Sequence, residues 1–329
     1  MLRRINRHLQ DLNQTRLDRK ICRQLRSAGR EWNAEHARVI FSESRGGSTW
    51  LFEMLLQSGE MVSQWEPLHP VRGTVSELPL HYGDRPYLTP DEKDDALLNC
   101  LIASFSGKTW TPWTARYNSP ESVDSADKLL VKFVRANMLA PWILHQIQLR
   151  YKPVMLIRHP VAVALSQLDA FRGADRDAVT YKVPNCHNNQ RFVQNEQYLN
   201  GLEGALERKV ALWCINNLPV LQNEQFMLQV QPVFYEYLVL NPQEQFAQIA
   251  LNWDLTFSGV QANNASSTTG RAGVDQEPLA QISKWMGRIN DQQKENCSFH
   301  SCSILGVRCI LLMIHCHSTS NRYEDRRSV

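Results

Sequence analysis

A parallel β-sheet covered by helices on both faces, in one α/β domain, is the fold class this sequence predicts. Three observations lead there. Short β-branched or apolar runs (Ala37 to Ser42, Asp127 to Val134, Pro153 to Ile157) have the length and composition of buried strands. Segments of helical period alternate with them, as a parallel sheet with crossover helices requires. The first run enters its helix through a turn holding Gly46 and Gly47. The third enters its helix at Pro160, a residue suited to a first helical turn.

Taken in order, Met1 to Arg38 carries ten Arg or Lys against four Asp or Glu. Its apolar residues recur at helical spacing, which predicts a basic amphipathic helix packed on the domain. The strand Ala37 to Ser42 is followed by a helix from Thr49 to Leu56. Leu139 to Leu149 has helical character between the second and third strands, and Val161 to Phe171 continues the helix opened by Pro160. Asn195 to Leu218 reads as one long amphipathic helix, with Leu199, Leu202, Leu206, Val210 and Trp213 on one face. Phe226 to Val230 reads as a strand and Pro242 to Leu251 as a helix. Ala262 to Asp275 has the composition of a surface loop. The organisation expected is a basic helix over 1–36, a domain over 37–290 and an atypical tail over 291–329.

Composition is that of a globular protein: 43% hydrophobic and 21% charged over 329 residues, with 15 Gly and 15 Pro. A net charge of +3 gives no argument for nucleic acid, though it allows a local basic site for an anion. No run of about 18 apolar residues occurs, so no transmembrane helix is expected. The N-terminal stretch lacks the apolar block of a secretory signal. None of the eight Cys forms a C-x-x-C pair and no His cluster has zinc-ligand spacing, so no metal is expected. A cytoplasmic location with free thiols is the simpler expectation. Four of the Cys fall in the last 33 residues, from Cys297 on.

Two loops carry the chemistry. Ser42-Glu43-Ser44-Arg45-Gly46-Gly47-Ser48-Thr49-Trp50 joins the first strand to its helix. Such a junction offers unpaired N–H groups and the positive end of a helix dipole to an anion. Gly46 and Gly47 allow close backbone approach, Ser48 and Thr49 bring hydroxyls, and Arg45 brings charge. The kinase form G-x-x-x-x-G-K-[ST] is not present. In the second loop a strand delivers Arg158 at its carboxyl end, where ligands bind in open α/β sheets. Pro160 then opens a helix that carries Ser166 two turns in, and the Arg and Ser can grip one phosphate.

Read together, these loops resemble those of the sulfotransferases that use 3′-phosphoadenosine-5′-phosphosulfate (PAPS). The first is similar to their 5′-phosphosulfate loop, with Arg45 at the basic position, Gly47 at the glycine, Ser48 and Thr49 at the hydroxyl pair and Trp50 at the following aromatic; Gly46 replaces the usual Ser. The second resembles their 3′-phosphate motif, an Arg, a polar residue, Pro, then Ser eight places after the Arg. Val233 to Pro242 (VFYEYLVLNP) resembles the family's Tyr-Glu-x-Leu…Pro segment, read as packing, and Trp213 a family helix position. The likeness runs from about Val39 to Trp285. It implies a P-loop-like sulfotransferase fold and PAPS as donor, with Arg45, Gly46, Gly47, Ser48, Thr49, Trp50, Arg158 and Ser166 as the donor site. Arg271, in Gly270-Arg271-Ala272-Gly273, faintly resembles a late loop that touches the 3′-phosphate.

Sulfuryl transfer needs a base for the acceptor's proton and cations for the developing charge. Val62 to His69 (VSQWEPLH) is similar to the Glu-Pro segment of carbohydrate sulfotransferases, whose strand end carries the glutamate. Glu66 is therefore the candidate base and His69 its reserve. Other family members use a His two places after a Lys; Lys132 matches that Lys, but Val134 stands at the His position and accepts no proton. Lys132 is left to hold the acceptor or sulfuryl oxygens, or to form a partly buried ion pair. Arg45 would stabilise the bridging and sulfuryl oxygens. The expected partner is a hydroxyl acceptor, glycan or small molecule, with Tyr82, Tyr87, Trp110, Trp113 and Tyr117 lining its site or packing on the domain. The alternatives are a P-loop kinase or other nucleoside triphosphatase, and a catalytically inactive nucleotide-binding protein.

Overall fold

A computed structural model of the chain describes residues 2–78, 82, 85–171, 181–256, 259 and 277–303. The order runs α1 (Leu2–Ala28), β1 (Arg38–Ser42), α2 (Ser48–Leu56), β2 (Met61–Trp65), α3 (Asp95–Phe105), α4 (Pro120–Ser125), β3 (Lys128–Phe133), α5 (Ala140–Gln146), β4 (Val154–Ile157) and α6 (Pro160–Ala170). It continues through α7 (Gln190–Gln194), α8 (Glu196–Gly201), α9 (Ala205–Leu221), α10 (Glu224–Met227), β5 (Gln231–Phe234), α11 (Tyr235–Leu240), α12 (Pro242–Trp253), α13 (Pro278–Ser283) and α14 (Asp291–Ser303).

The five strands form one sheet in the order β2-β3-β1-β4-β5, and every pairing is parallel. Side chains alternate between two layers, as a strand's period of two requires. Val39 and Phe41 of β1, with Leu129, Val131 and Phe133 of β3, enter the core built with α5, α6 and α9. Ile40, Leu130, Val154 and Leu156 enter the opposite core with Leu51 and Phe52 of α2 and Phe246, Ile249 and Trp253 of α12. Burial on both faces explains why these strands read as continuous apolar runs. All strand carboxyl ends lie along one edge of the sheet, which places Ser42, Trp65, Phe133, Ile157 and Phe234 at the mouths of the functional loops.

Several expectations on local structure are revised. Phe226 to Val230 is not a strand. Asn223 caps a short helix through its side chain, which accepts from Phe226 N–H at 3.0 Å, and the strand follows at β5. Pro232 sits in β5 without cost because β5 is an edge strand and needs fewer N–H donors. Asn195 to Leu218 is two helices, α8 and α9, broken around Leu202–Gly204. A Cβ on Gly204 would lie 1.7 Å from a carboxylate oxygen of Glu207, so the chain turns there on a residue without a side chain. Helix α1 packs on the domain through Ile21, Cys22 and Leu25, which are buried. The segment after 290 begins as α14, which docks on α9 and buries Cys297. Cys22 is a buried free thiol, and Cys186, Cys214 and Cys297 are buried as well. No helix among the described residues is long and apolar enough to cross a membrane. The surface loop Ala262 to Asp275, Arg271 with it, lies outside the described residues.

Candidate active site

The turn between β1 and α2 is held in a shape few sequences adopt. Arg45 has φ 68° and Gly47 φ 93°, and Gly46 N–H donates to the Glu43 carbonyl at 2.9 Å. A Cβ on Gly47 would meet the Tyr235 ring at 2.3 Å, and one on Gly46 the Ser42 hydroxyl at 2.6 Å. Both glycines are therefore sterically required. The first N–H groups of α2, at Ser48, Thr49 and Trp50, have no carbonyl one turn back within the helix. The Trp50 ring itself packs edge-on against Tyr235 and Phe246.

The second loop meets the first. Arg158 Nη1 donates to the Arg45 carbonyl at 3.1 Å, and Arg45 Nε donates to the Ser166 hydroxyl at 3.1 Å. Residues 113 and 121 positions apart in sequence thus share one corner of the sheet. The Arg158 guanidinium lies 4.3 Å from the Tyr235 ring centroid, and its Nε is buried with no partner. Burial, and then the neighbouring Arg158 charge, hold the Arg45 guanidinium below its ordinary value. Two neighbouring cations, one with a buried N–H that has no partner, make a site that favours an anion.

Tyr235 and Glu236 belong to this corner, although VFYEYLVLNP reads from sequence as packing. Tyr235 is the floor under Gly47 and the surface on which Arg158 lies. The Glu236 carboxylate accepts from His159 N–H at 3.1 Å, fixing the turn just after Arg158. Burial pushes the Glu236 carboxyl up, against that hydrogen bond and the Arg158 charge. The His159 ring stacks on Trp285 at 4.1 Å.

Sequence reasoning missed Glu43. Its carboxylate takes a two-pronged bond from Arg85, at 2.6 and 2.5 Å, and accepts from Ser44 N–H at 3.0 Å. Gln167 and Asn217 add longer bonds at 3.3 and 3.5 Å. Gln167 follows Ser166 on α6, so one buried carboxylate ties the first loop, the helix of the second loop and the Arg85 segment together. An acidic residue inside an anion-binding loop is the only signal the sequence offers. Replacing Glu43 with Ala should lower stability by about 3 kcal/mol, the lower end for breaking a buried pair because Arg85 keeps 21% of its side chain exposed. Urea unfolding of E43A, R85A and the double variant measures it, and the double should cost less than the two singles together.

The acceptor-side residues gather two strands away, about 10 Å across the sheet. Glu66 follows β2 with φ 44°, and its N–H donates to the Lys132 carbonyl at 2.9 Å, fixing the turn. Its carboxylate takes Lys132 Nζ on Oε1 and Arg135 Nη1 on Oε2, each at 3.0 Å. Lys132 is 1% exposed and its ammonium sits 3.4 Å from the Trp65 ring centroid. Burial draws Lys132 down to about 8, against the pull of Glu66. Burial alone would raise Glu66, but Lys132 and Arg135 outweigh it and hold the carboxyl below its usual value. Lys132 and Glu66 thus form a buried ion pair. His69 Nδ1 accepts the N–H groups of Val71 and Arg72, both at 3.2 Å, which leaves Nε2 as the protonated nitrogen of the neutral ring.

The aromatics divide. Trp110 is buried, with its N–H on the Gly107 carbonyl, and Tyr82 donates to Asp94. Tyr117 packs against Trp65 with the rings tilted by 40° and 4.4 Å between centroids. Trp113 instead lies beside His69, 4.7 Å between rings. A cavity of about 710 Å³ opens elsewhere, against α1; Trp110 lines it, whereas Arg45, Glu66, Lys132 and Arg158 do not.

No family model matches the chain, and no curated protein matches it in sequence. Solved structures similar to it include a sulfotransferase domain from the curacin biosynthetic pathway, 19% identical over 80% of this chain and 96% of that one, with a TM-score of 0.41. A sulfotransferase from Alicyclobacillus acidocaldarius is 11% identical over 81% of this chain and 94% of its own, with a TM-score of 0.38. A mouse sulfotransferase complexed with PAP is 14% identical over 90% and 94%, with a TM-score of 0.41.

Proposed function

We propose that this chain is a sulfotransferase that moves a sulfuryl group from PAPS to a hydroxyl acceptor. One observation carries the reading: Arg45 and Arg158, from turns at the ends of adjacent strands, meet through the Arg45 carbonyl and Ser166. A doubly phosphorylated nucleotide fits that pairing. The Gly46–Gly47 turn and the start of α2 offer N–H groups to the 5′-side, with Ser48 and Thr49 beside them. Arg158, whose buried Nε lacks a partner, and Ser166 serve the 3′-phosphate.

When bound, the donor supplies an activated sulfuryl group on a phosphate leaving group. Arg45 holds the charge that develops on the leaving side. Glu66 takes the acceptor's proton, and its depressed pKa keeps it ionised at neutral pH. Arg135, 23% exposed, is the partner that an acceptor hydroxyl can displace from Oε2; Lys132 is locked in place by burial. His69 presents Nε2–H as a donor to the acceptor, so its part is orientation rather than reserve base.

Calorimetry tests the donor site without an acceptor. 3′,5′-ADP should bind at least tenfold more tightly than 5′-ADP. Arg158→Ala should remove about 1.5–3 kcal/mol of that preference, the range for a hydrogen bond to a charged group. Equal affinity for the two nucleotides would sink the reading. Labelled PAPS with a hydroxyl acceptor panel should then yield 3′,5′-ADP and a sulfated product.

A further inference from the structure

Beside Glu66 the chain gathers more positive charge than the base requires. The turn after β2 brings Arg72 back next to His69, and the segment before α4 brings Trp113 and Arg116. Arg72 and Arg116 place their guanidinium carbons 4.9 and 4.8 Å from the Trp113 ring centroid. The two segments are stapled together: the Thr111 hydroxyl donates to the Arg72 carbonyl at 2.7 Å, and Trp65 N–H donates to the Thr114 carbonyl at 2.9 Å. Stacking on an indole keeps a guanidinium in place while its N–H edge stays open to a carboxylate.

The nearby carboxylates do not use up this charge. Glu66 is taken by Lys132 and Arg135. Asp18 of α1 pairs with Arg116 through Nε, at 3.3 Å. Among the described residues no carboxylate pairs with Arg72. His69 feels the result: after burial, the charges of Arg135 and Arg72 help hold its imidazole below the ordinary value, against Glu66. Arg72 is exposed, and its guanidinium rests on the Trp113 ring beside His69.

We propose that the acceptor is an acid: a hydroxyl compound whose carboxylate is held by Arg72 and Arg116 across Trp113 while its hydroxyl faces Glu66. This rests on the sulfotransferase reading and narrows its acceptor class. A carboxylate gripped there takes N–H donors that a neutral compound cannot satisfy, which favours acids by roughly 10- to 100-fold for one charged hydrogen-bonding pair.

Matched acid and neutral acceptors test it: phenyl glucuronide against phenyl glucoside, and 4-hydroxyphenylacetate against its amide. With labelled PAPS, the acid of each pair should show at least tenfold higher kcat/KM, the difference lying in KM. Arg72→Ala and Arg116→Ala should bring each pair close to parity, Arg72→Lys should recover part of the gap, and 3′,5′-ADP affinity should not move. Calorimetry of the same pairs, with and without 3′,5′-ADP, gives a readout that needs no turnover. Acid binding that weakens in the Arg72 and Arg116 variants supports the proposal even where transfer is slow. Equal handling of acid and neutral partners by the wild-type chain, or a preference that survives both substitutions, overturns it. Loss of the nucleotide preference with the acid preference intact would overturn the donor reading alone.

Discussion

Replacing Glu66 with glutamine is expected to lower transfer about 100-fold or more while 3′,5′-ADP binds within threefold of wild type. The side chain keeps its shape and an oxygen for Lys132, but loses the charge that accepts a proton. The effect belongs at the lower end of the general-base range, because Lys132 and Arg135 hold this carboxylate low and make it a modest acceptor. Glutamine also leaves the buried ammonium of Lys132 without its counter-charge, so rates are to be compared per folded molecule. The pH profile supplies a second readout. Lys132 titrates near 8, so activity that uses its charge should fall as pH rises through that value. In Glu66→Gln this alkaline limb should move to lower pH, since Glu66 raises Lys132. Glu66, ionised well below neutrality, adds no acid limb near pH 6. A variant retaining a tenth of wild-type transfer, or a wild-type profile flat from pH 6 to 10, would remove Glu66 and Lys132 from the chemistry.

Gly47→Ala should be as damaging to the donor side. The new Cβ must occupy a backbone with φ 93° and lie 2.3 Å from a carbon of the Tyr235 ring. Overpacking of this kind costs about 1–3 kcal/mol, and a left-handed backbone about 1–2 kcal/mol more. Because Tyr235 also carries Arg158, relief by moving the ring disturbs both halves of the nucleotide site. We expect 3′,5′-ADP affinity to fall roughly 100-fold, in line with about 3 kcal/mol, with a lower Tm. Tyr235→Ala in the same chain should relieve the overlap but not the backbone strain, so the double variant should recover only part. Full recovery would show that the glycine is needed for space alone, and wild-type affinity in Gly47→Ala would show that the turn plays no part in binding.

What could be read from the sequence followed locality. The strands of the sheet centre, the Gly46–Gly47 turn and the Arg158-to-Ser166 spacing all lie within one strand–turn–helix unit, where period and turn chemistry decide the outcome. Glu43 was out of reach because its meaning comes from Arg85, 42 residues on, and from Asn217, which only the packed fold brings near. The role of Tyr235 was hidden for the same reason: an aromatic in an apolar run reads as core until a glycine from β1's loop is laid on it. Glu66 and Lys132 were named separately, and it took the register of β2 against β3, which aligns Trp65 with Lys132, to join them. The run Phe226 to Val230 misled because only its two ends, Phe226 and Val230, are buried, while Leu228 is exposed; the Asn223 cap starts a short helix there instead.

The strand order has a consequence for how such a protein can change. The turns that carry Arg45 and Arg158 spring from β1 and β4, interior to the sheet and clamped by neighbours on each side, whereas Glu66 leaves β2, an edge strand among the described residues whose backbone is met by Thr114 and Asn118 instead of a further strand. Segment 67–127, which follows that border, is joined to the interior pair at one point, because its Arg85 holds Glu43 of the first loop. On the proposed function, changes of acceptor are expected in the loops around Glu66 and changes of donor in the interior turns, with Arg85 linking the two, a division of labour drawn by geometry rather than by domain boundaries.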